Sequence, residues 1–156
     1  MRLAEELGLP LVSVIDTPGA ELSVAAEEGA IAGEIARCIA TLTTMTVPTV
    51  SVLLGQGCGG GALALLPAQV VVATENAWLS PLPPEGASVI RYGDLDHAPE
   101  MAVSQGIGSA ALVESGIVQR VVPELPEDDA ESLAVAVAAT VANELVQLGQ
   151  KTRGAR

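Results

Sequence analysis

The sequence predicts an α/β chain built on a mostly parallel sheet, and two observations carry that expectation. Short apolar runs at residues 11–15, 49–54 and 70–74 alternate with stretches whose apolar residues recur at helical spacing. The middle run, moreover, leads straight into a glycine cluster, residues 55–61, and from there into a helix start. A strand that ends in glycines before a helix brings bare backbone N–H groups to the sheet's edge, where no Cβ blocks a ligand.

Taken in order, residues 3–7 read as the end of a helix stopped by Gly8, and residues 11–15 as a buried strand entering the turn Asp16-Thr-Pro-Gly-Ala20. Residues 25–45 read as one long helix, with Ile31, Ile35, Ile39 and Leu42 on a common face. Glu27 and Glu28 stand at its opening, where the dipole favours acids. Val47-Pro48 ends that helix before the strand at 49–54. After the glycine loop a short helix closes near Pro67, and residues 70–74 form a third strand. Residues 76–86 are proline-rich and read as an irregular, stiff loop of the kind that shapes a site. Short helices follow at 98–105 and 109–115, then a last strand at 117–122. Acids before residue 129 introduce a long Ala/Val-rich helix over 128–148, and residues 151–156 read as a frayed tail.

Composition narrows the function. The 156 residues are 49% hydrophobic with one Trp, one Tyr and no Phe, so one domain with an aliphatic core is expected. A net charge of −12, with only 7 Lys and Arg, excludes nucleic acid as a natural partner and argues against a polyphosphate site of the chain's own. Two cysteines, Cys38 and Cys58, suffice for neither a disulfide scaffold nor a four-ligand zinc site, and no metal site is expected. Polar residues interrupt every apolar run well short of the ~20 residues of a membrane span. The opening Arg2-Leu-Ala-Glu-Glu reads as an amphipathic helix rather than a signal peptide, so a cytoplasmic location is expected.

The glycine cluster admits several chemistries. Gly55-Gln-Gly-Cys-Gly-Gly60 satisfies G-x-G-x-x-G, and Glu75 ends the next strand where a ribose-binding acid would sit. Between Gly61 and Pro67, however, there is room for fewer than two helical turns, whereas a dinucleotide crossover uses roughly ten residues or more. No Gly-Lys-Ser/Thr follows, which excludes a P-loop. Cys58 reads as a small filler rather than a nucleophile, because the one histidine, His97, lies in a Pro- and Asp-rich surface segment with no base role. Glu85, between Pro84 and Gly86, is as suited to a site as to structure. What remains is a main-chain site for an anionic oxygen, of an oxyanion or of a phosphate.

Four segments carry a resemblance that agrees with that reading: Ile15-Asp-Thr-Pro-Gly-Ala20; Ala26-Glu-Glu-Gly29 with Glu34-Ile-Ala-Arg37; Gly55 to Leu65; and Ser80 to Gly86, ending in Pro-Glu-Gly. Together they resemble the C-terminal half of the carboxyltransferase α subunit of bacterial acetyl-CoA carboxylase, over residues 3–122. The resemblance implies a crotonase-like spiral of ββα units, here a single domain over residues 1–156 lacking the N-terminal part of the family's unit, with a long C-terminal helix. It implies carboxyl transfer from carboxybiotin, carried on a separate biotin carboxyl carrier protein, to the enolate of acyl-CoA, most naturally acetyl-CoA giving malonyl-CoA. A β-type carboxyltransferase subunit and an oligomeric assembly are implied as partners.

Carried over residue by residue, the resemblance assigns oxyanion donors to Gly60, Gly61 and Ala62, with Gly19 and Ala20 beside them. It assigns substrate contacts to Gly57, Cys58 and Gly59 and to Pro84, Glu85 and Gly86. Two departures fall close by: the family loop usually reads Gly-Glu-Gly-Gly-Ser-Gly-Gly-Ala, where this chain has Gln56 and Cys58-Gly59, and Glu-Leu-Ser follows Ala20 in place of aromatic-Pro-Gly. The rivals are a biotin-independent hydratase or isomerase of the same superfamily, and a non-catalytic scaffold within a carboxylase. The hydratase would need a glutamate where Leu63 stands.

Overall fold

A computed structural model of the chain describes residues 1–154, with side chains through Lys151. Its spine is β2 (Thr49–Cys58), the longest strand at ten residues. On one side β2 pairs with β1 (Leu11–Thr17), and on the other with β3 (Val70–Thr74), which pairs in turn with β5 (Arg120–Val122). All of these pairings are parallel. The β2–β3 ladder stops at Leu53; from Gln56 the second half of β2 pairs instead with β4 (Trp78–Ser80). This fork turns the flat sheet into a spiral corner. Thr74 pins it, its hydroxyl donating 2.8 Å to the Leu54 carbonyl as β3 peels away.

The strands form where the sequence places them because each run is too apolar to face water on either side; Val50, Val52, Leu53, Val72 and Ala73 are all 1% exposed or less. The crossover between β2 and β3 holds only α4 (Gly59–Leu63). Its far end is secured by the Leu65 carbonyl, which accepts from both Ser13 and Ser51 hydroxyls out of the sheet.

Four expectations are corrected. Residues 25–45 are two helices, α2 (Val24–Glu28) and α3 (Ile31–Thr44), because Ala30 takes a left-handed φ of 61° and breaks the run. Glu27 and Glu28 therefore close a short helix instead of opening a long one. The glycine loop is not a loop as far as Cys58: β2 continues through Gly55 and Gly57 by pairing with β4. Residues 76–86 are more regular than their prolines suggest, since they hold β4 and the first turn of α5 (Pro84–Tyr92). Pro84 opens α5, the helical position at which a missing N–H costs nothing.

The chain then returns through α6 (Ala98–Gln105) and α7 (Ser109–Glu114) to β5, and ends in α8 (Ala130–Gly154). Asp129 caps α8 reciprocally. Its carboxylate accepts from Ser132 N–H at 2.8 Å, its own N–H donates 2.9 Å to the Ser132 hydroxyl, and the Ser132 amide bond holds its carboxyl below the usual range. The tail expected to fray at 151–156 is helical to Gly154, and residues 155–156 lie outside the described residues. α8 lies on the sheet through Leu133, Val137, Val141, Leu145 and Leu148. Over Ala130–Lys151 it is also long and apolar enough to cross a membrane by length and composition, a property the interrupted sequence pattern conceals.

Candidate active site

Two turns meet where β1 and β2 end. Past β1 the backbone bends at Thr17-Pro18-Gly19. The Thr17 hydroxyl accepts from Gly19 N–H at 3.2 Å and donates to Gly19 C=O at 3.1 Å, which closes the bend on itself. Past β2, Cys58 caps α4 with no side-chain bond, so the N–H groups of Gly60 and Gly61 in the first helical turn have no partner within the helix.

The two bends are seated backbone on backbone. A Cβ built on Gly61 would stand 3.3 Å from the Ala20 nitrogen, one on Gly59 3.8 Å from Gly19 Cα, and one on Gly19 3.9 Å from the Cys58 carbonyl. Gly59 and Gly19 also take left-handed φ values of 62° and 136°, so glycine is favoured there by conformation, while a Cβ at either would make only ordinary contacts. Asp16 locks the register from below. Its carboxylate accepts from Gln56 N–H at 2.9 Å and occupies the space a Cβ on Gly55 would need, 2.8 Å away.

This geometry sorts the expected donors. Ala20, Gly60 and Gly61 are partly exposed and lie together at the meeting of the bends. Gly19 lies there too, but its N–H is already given to Thr17, so its part is the bend itself. Ala62 is fully buried in the core, and by helix geometry its N–H is the first committed inside α4.

Of the expected substrate contacts, Gly57 is buried strand backbone with no room for a side chain, a Cβ there lying 2.5 Å from Leu53 Cδ1. Cys58 is 2% exposed, and burial followed by the charge of Glu85 pushes its thiol up from the ordinary value. A neutral, enclosed thiol is a poor nucleophile, which agrees with its reading as a filler. The segment leading into α5 passes this junction, the Pro81 C=O lying 3.9 Å from a Cβ built on Gly59. Pro84, Glu85 and Gly86 thus reach the neighbourhood as the first turn of α5, with Glu85 exposed. Ser80 sets that approach by donating to Leu82 C=O and to Gln105 Oε1.

The competing chemistries fare poorly. Glu75 accepts from Glu124 N–H at 2.9 Å, and Glu124 from Asn76 N–H at 2.9 Å, so the acid a dinucleotide would need clasps two strand ends instead. Leu63 lines an apolar hollow of about 410 Å³ with Leu66, Leu79 and Leu112, no place for a general acid. His97 bonds Asp94 through Nδ1 at 2.9 Å and stacks on Tyr92 at 4.1 Å; Asp94 raises its pKa. Among the described residues no three His, Cys, Asp or Glu side chains converge as metal ligands. The position sequence reasoning missed is Asp16: the motif placed it in a turn, and only the strand pairing reveals what its carboxylate holds.

The forked parallel sheet is that of the crotonase-like fold, and solved structures share it. Transcarboxylase 12S superposes with a TM-score of 0.78 at 23% identity over 94% of this chain and 27% of that one. A Pseudomonas malonate decarboxylase hetero-tetramer gives 0.72 at 16% identity, over 94% and 63%. The chain belongs to the acetyl-coenzyme A carboxylase carboxyltransferase-like family, whose model matches residues 1–155.

Among relatives, a probable biotin-dependent acyl-CoA carboxylase beta3 subunit of Mycobacterium tuberculosis is 57% identical over 137 residues, 88% of this chain and 28% of the relative. The acetyl-CoA carboxylase carboxyl transferase subunit alpha of Deinococcus radiodurans is 39% identical over 155 residues, 97% and 49%. The chain therefore spans half or less of the length of these curated relatives.

Proposed function

We propose that this chain forms the carboxyltransferase part of a biotin-dependent acyl-CoA carboxylase, with acetyl-CoA as substrate and malonyl-CoA as product. Family membership supports the class, and the seating of Gly61 against Ala20 is the observation that carries the role. Gly61, with Gly60 before it in the chain, lies backbone against backbone with Ala20, and a Cβ at 61 would stand 3.3 Å from the Ala20 nitrogen. That cradle suits a small planar oxygen such as the ureido oxygen of biotin, which, on a separate carrier protein, would supply the carboxyl group. The chain's own contribution is electrostatic: preorganised donors stabilise an oxygen that becomes more negative during transfer, a task worth ~3–4 kcal/mol per donor.

Asp16, Thr17 and the glycines hold those donors still. Glu85, Pro84 and Gly86 flank the cradle on the side of α5, where the acyl-CoA and a β-type subunit would approach. A cytoplasmic setting, and completion of the unit by further chain, belong to the same reading.

The test is Gly61→Ala in the assembled carboxylase with its carrier and β-type subunit. Retained assembly with malonyl-CoA formation cut roughly 10²-fold is expected; full activity overturns the assignment. If the wild-type chain assembles normally yet supports no carboxylation, the scaffold reading replaces it, and enoyl-CoA hydration by the chain alone would favour a biotin-independent enzyme.

A further inference from the structure

Gly60 and Gly61 are supported on different sides, and the two supports differ in kind. Successive residues of a helix point ~100° apart, so neighbouring glycines in α4 meet different surroundings. Gly61 meets main chain: the Ala20 nitrogen, the Gly19 carbonyl carbon and the Ala20 Cα stand 3.3, 3.5 and 3.7 Å from a Cβ built there. Gly60 meets a side chain. The three atoms nearest a Cβ built on it all belong to Ile35 of α3, with Cδ1 at 2.8 Å and both Cγ1 and Cγ2 at 3.8 Å.

Both supports come from one stretch of chain. Past Ala20 the Ser23 hydroxyl accepts from Ala26 N–H at 3.1 Å and starts α2; the chain turns at Ala30 and runs on as α3, which brings Ile35 back against α4. α3 is itself held in place. Leu42, 3% exposed, buries the same face two turns further along, and just past the helix end Thr46 N–H donates to the Glu5 carboxylate at 3.1 Å. Ile35 makes a stiff support, because branching at Cβ leaves a helical isoleucine one strongly preferred χ1. Its two branches straddle Gly60 at equal distance, so the contact survives rotation of the terminal methyl.

We propose that Ile35 is a positioning residue for the candidate active site: it presses Gly60, and with it Gly61, toward Ala20 and so fixes where the unpaired N–H groups of the first turn of α4 stand. Glycine at 60 and isoleucine at 35 are then a matched pair, the missing side chain of one filled by the methyl of the other. The contact lies wholly within the chain and holds whatever covers its outer surfaces. This inference rests on the carboxyl-transfer reading and adds to it the side chain that sets the geometry of the main-chain donors.

The test is a double-mutant cycle in the assembled carboxylase with its carrier and β-type subunit, with rates counted per assembled particle and kcat separated from the KM for acetyl-CoA. Gly60→Ala should lower kcat about 10-fold, because its Cβ would meet Ile35 Cδ1 and push the turn aside. Ile35→Val removes that methyl but keeps both branches. Alone it should stay within about 3-fold of the wild type, and combined with Gly60→Ala it should win back about 5-fold of the loss. Ile35→Ala, which leaves no support, should lower kcat about 10-fold with the KM for acetyl-CoA unchanged. Ile39→Ala, one turn along α3 and equally half-buried, should alter neither constant. A Gly60→Ala defect that Ile35→Val fails to relieve, an unchanged kcat in Ile35→Ala, or an equal loss in Ile39→Ala would each overturn the proposal. Gly61→Ala separates the two readings. If it is fully active, the oxyanion role falls and this inference with it; if it is impaired while residues 35 and 60 show no coupling, this inference alone is lost.

Discussion

The two faces of the sheet differ in how completely the chain covers them. On one, Ile15, Leu53, Ala73, Leu79, Leu112 and Val118 interlock with Ala62, none more than 7% exposed, under α4, β4 and α7. On the other, Val50, Val52, Val72 and Val122 are buried, but Val137, Val141 and Leu145 of the covering helix are only half-buried, and Val12 and Val14 are open. The closed face backs the strand ends that hold the candidate site, where donors must stay in place to be useful. The open face has no such duty and keeps its apolar surface available.

That contrast can be broken by experiment. Leu112→Ala on the closed face should cost about 3 kcal/mol by denaturant unfolding, since a 4% exposed core side chain is lost. Gly57→Ala should cost about 2 kcal/mol, because its Cβ would meet Leu53 Cδ1 at 2.5 Å and the Trp78 carbonyl at 2.9 Å. Leu145→Ala on the open face should cost only about 1 kcal/mol in a single chain, its site being half-wet. Equal costs for Leu112 and Leu145 would erase the distinction.

Smaller effects sit at the edges. Asp129→Ala removes the cap of α8 and should cost about 1 kcal/mol. The Asp94–His97 pair gives a pH signature instead. Asp94 raises the His97 pKa, so the histidine's contribution is present below the ordinary imidazole value and fades as pH rises through the folded one. His97 lowers the Asp94 pKa, so that contribution is present above the ordinary carboxylate value and is lost as pH falls through the folded one. The pair therefore helps most in the mildly acidic window between. Thermal midpoints measured from pH ~5 to ~8 should decline slightly more for the wild type than for His97→Asn; identical profiles would show the pair contributes nothing measurable.

Much of the site was legible in the sequence because it is made of backbone. Glycines at 19, 59, 60 and 61 advertise bare N–H groups whatever packs around them. What was less legible depended on partners far along the chain. Gly55 and Gly57 read as loop because nothing local shows that β4 returns to pair with them, 22 residues later in register. The prolines at 83 and 84 read as irregular because a proline at the first helical position looks, by composition, like a proline in a loop. Ala30 gave no warning of a left-handed break, since alanine is otherwise the best of helix formers.

Local chemistry by itself determined the strands at 11–15, 49–54 and 70–74 and the glycine turn after the second of them, because apolar runs and missing side chains act wherever they stand. Tertiary structure alone decided that the Gly19 amide is given to Thr17, that the Asp16 carboxylate holds the end of β1 against β2, and that one face of the sheet is more fully covered than the other. Those outcomes arise from pairings between residues distant in sequence, whose energies exist only once the chain has closed around them.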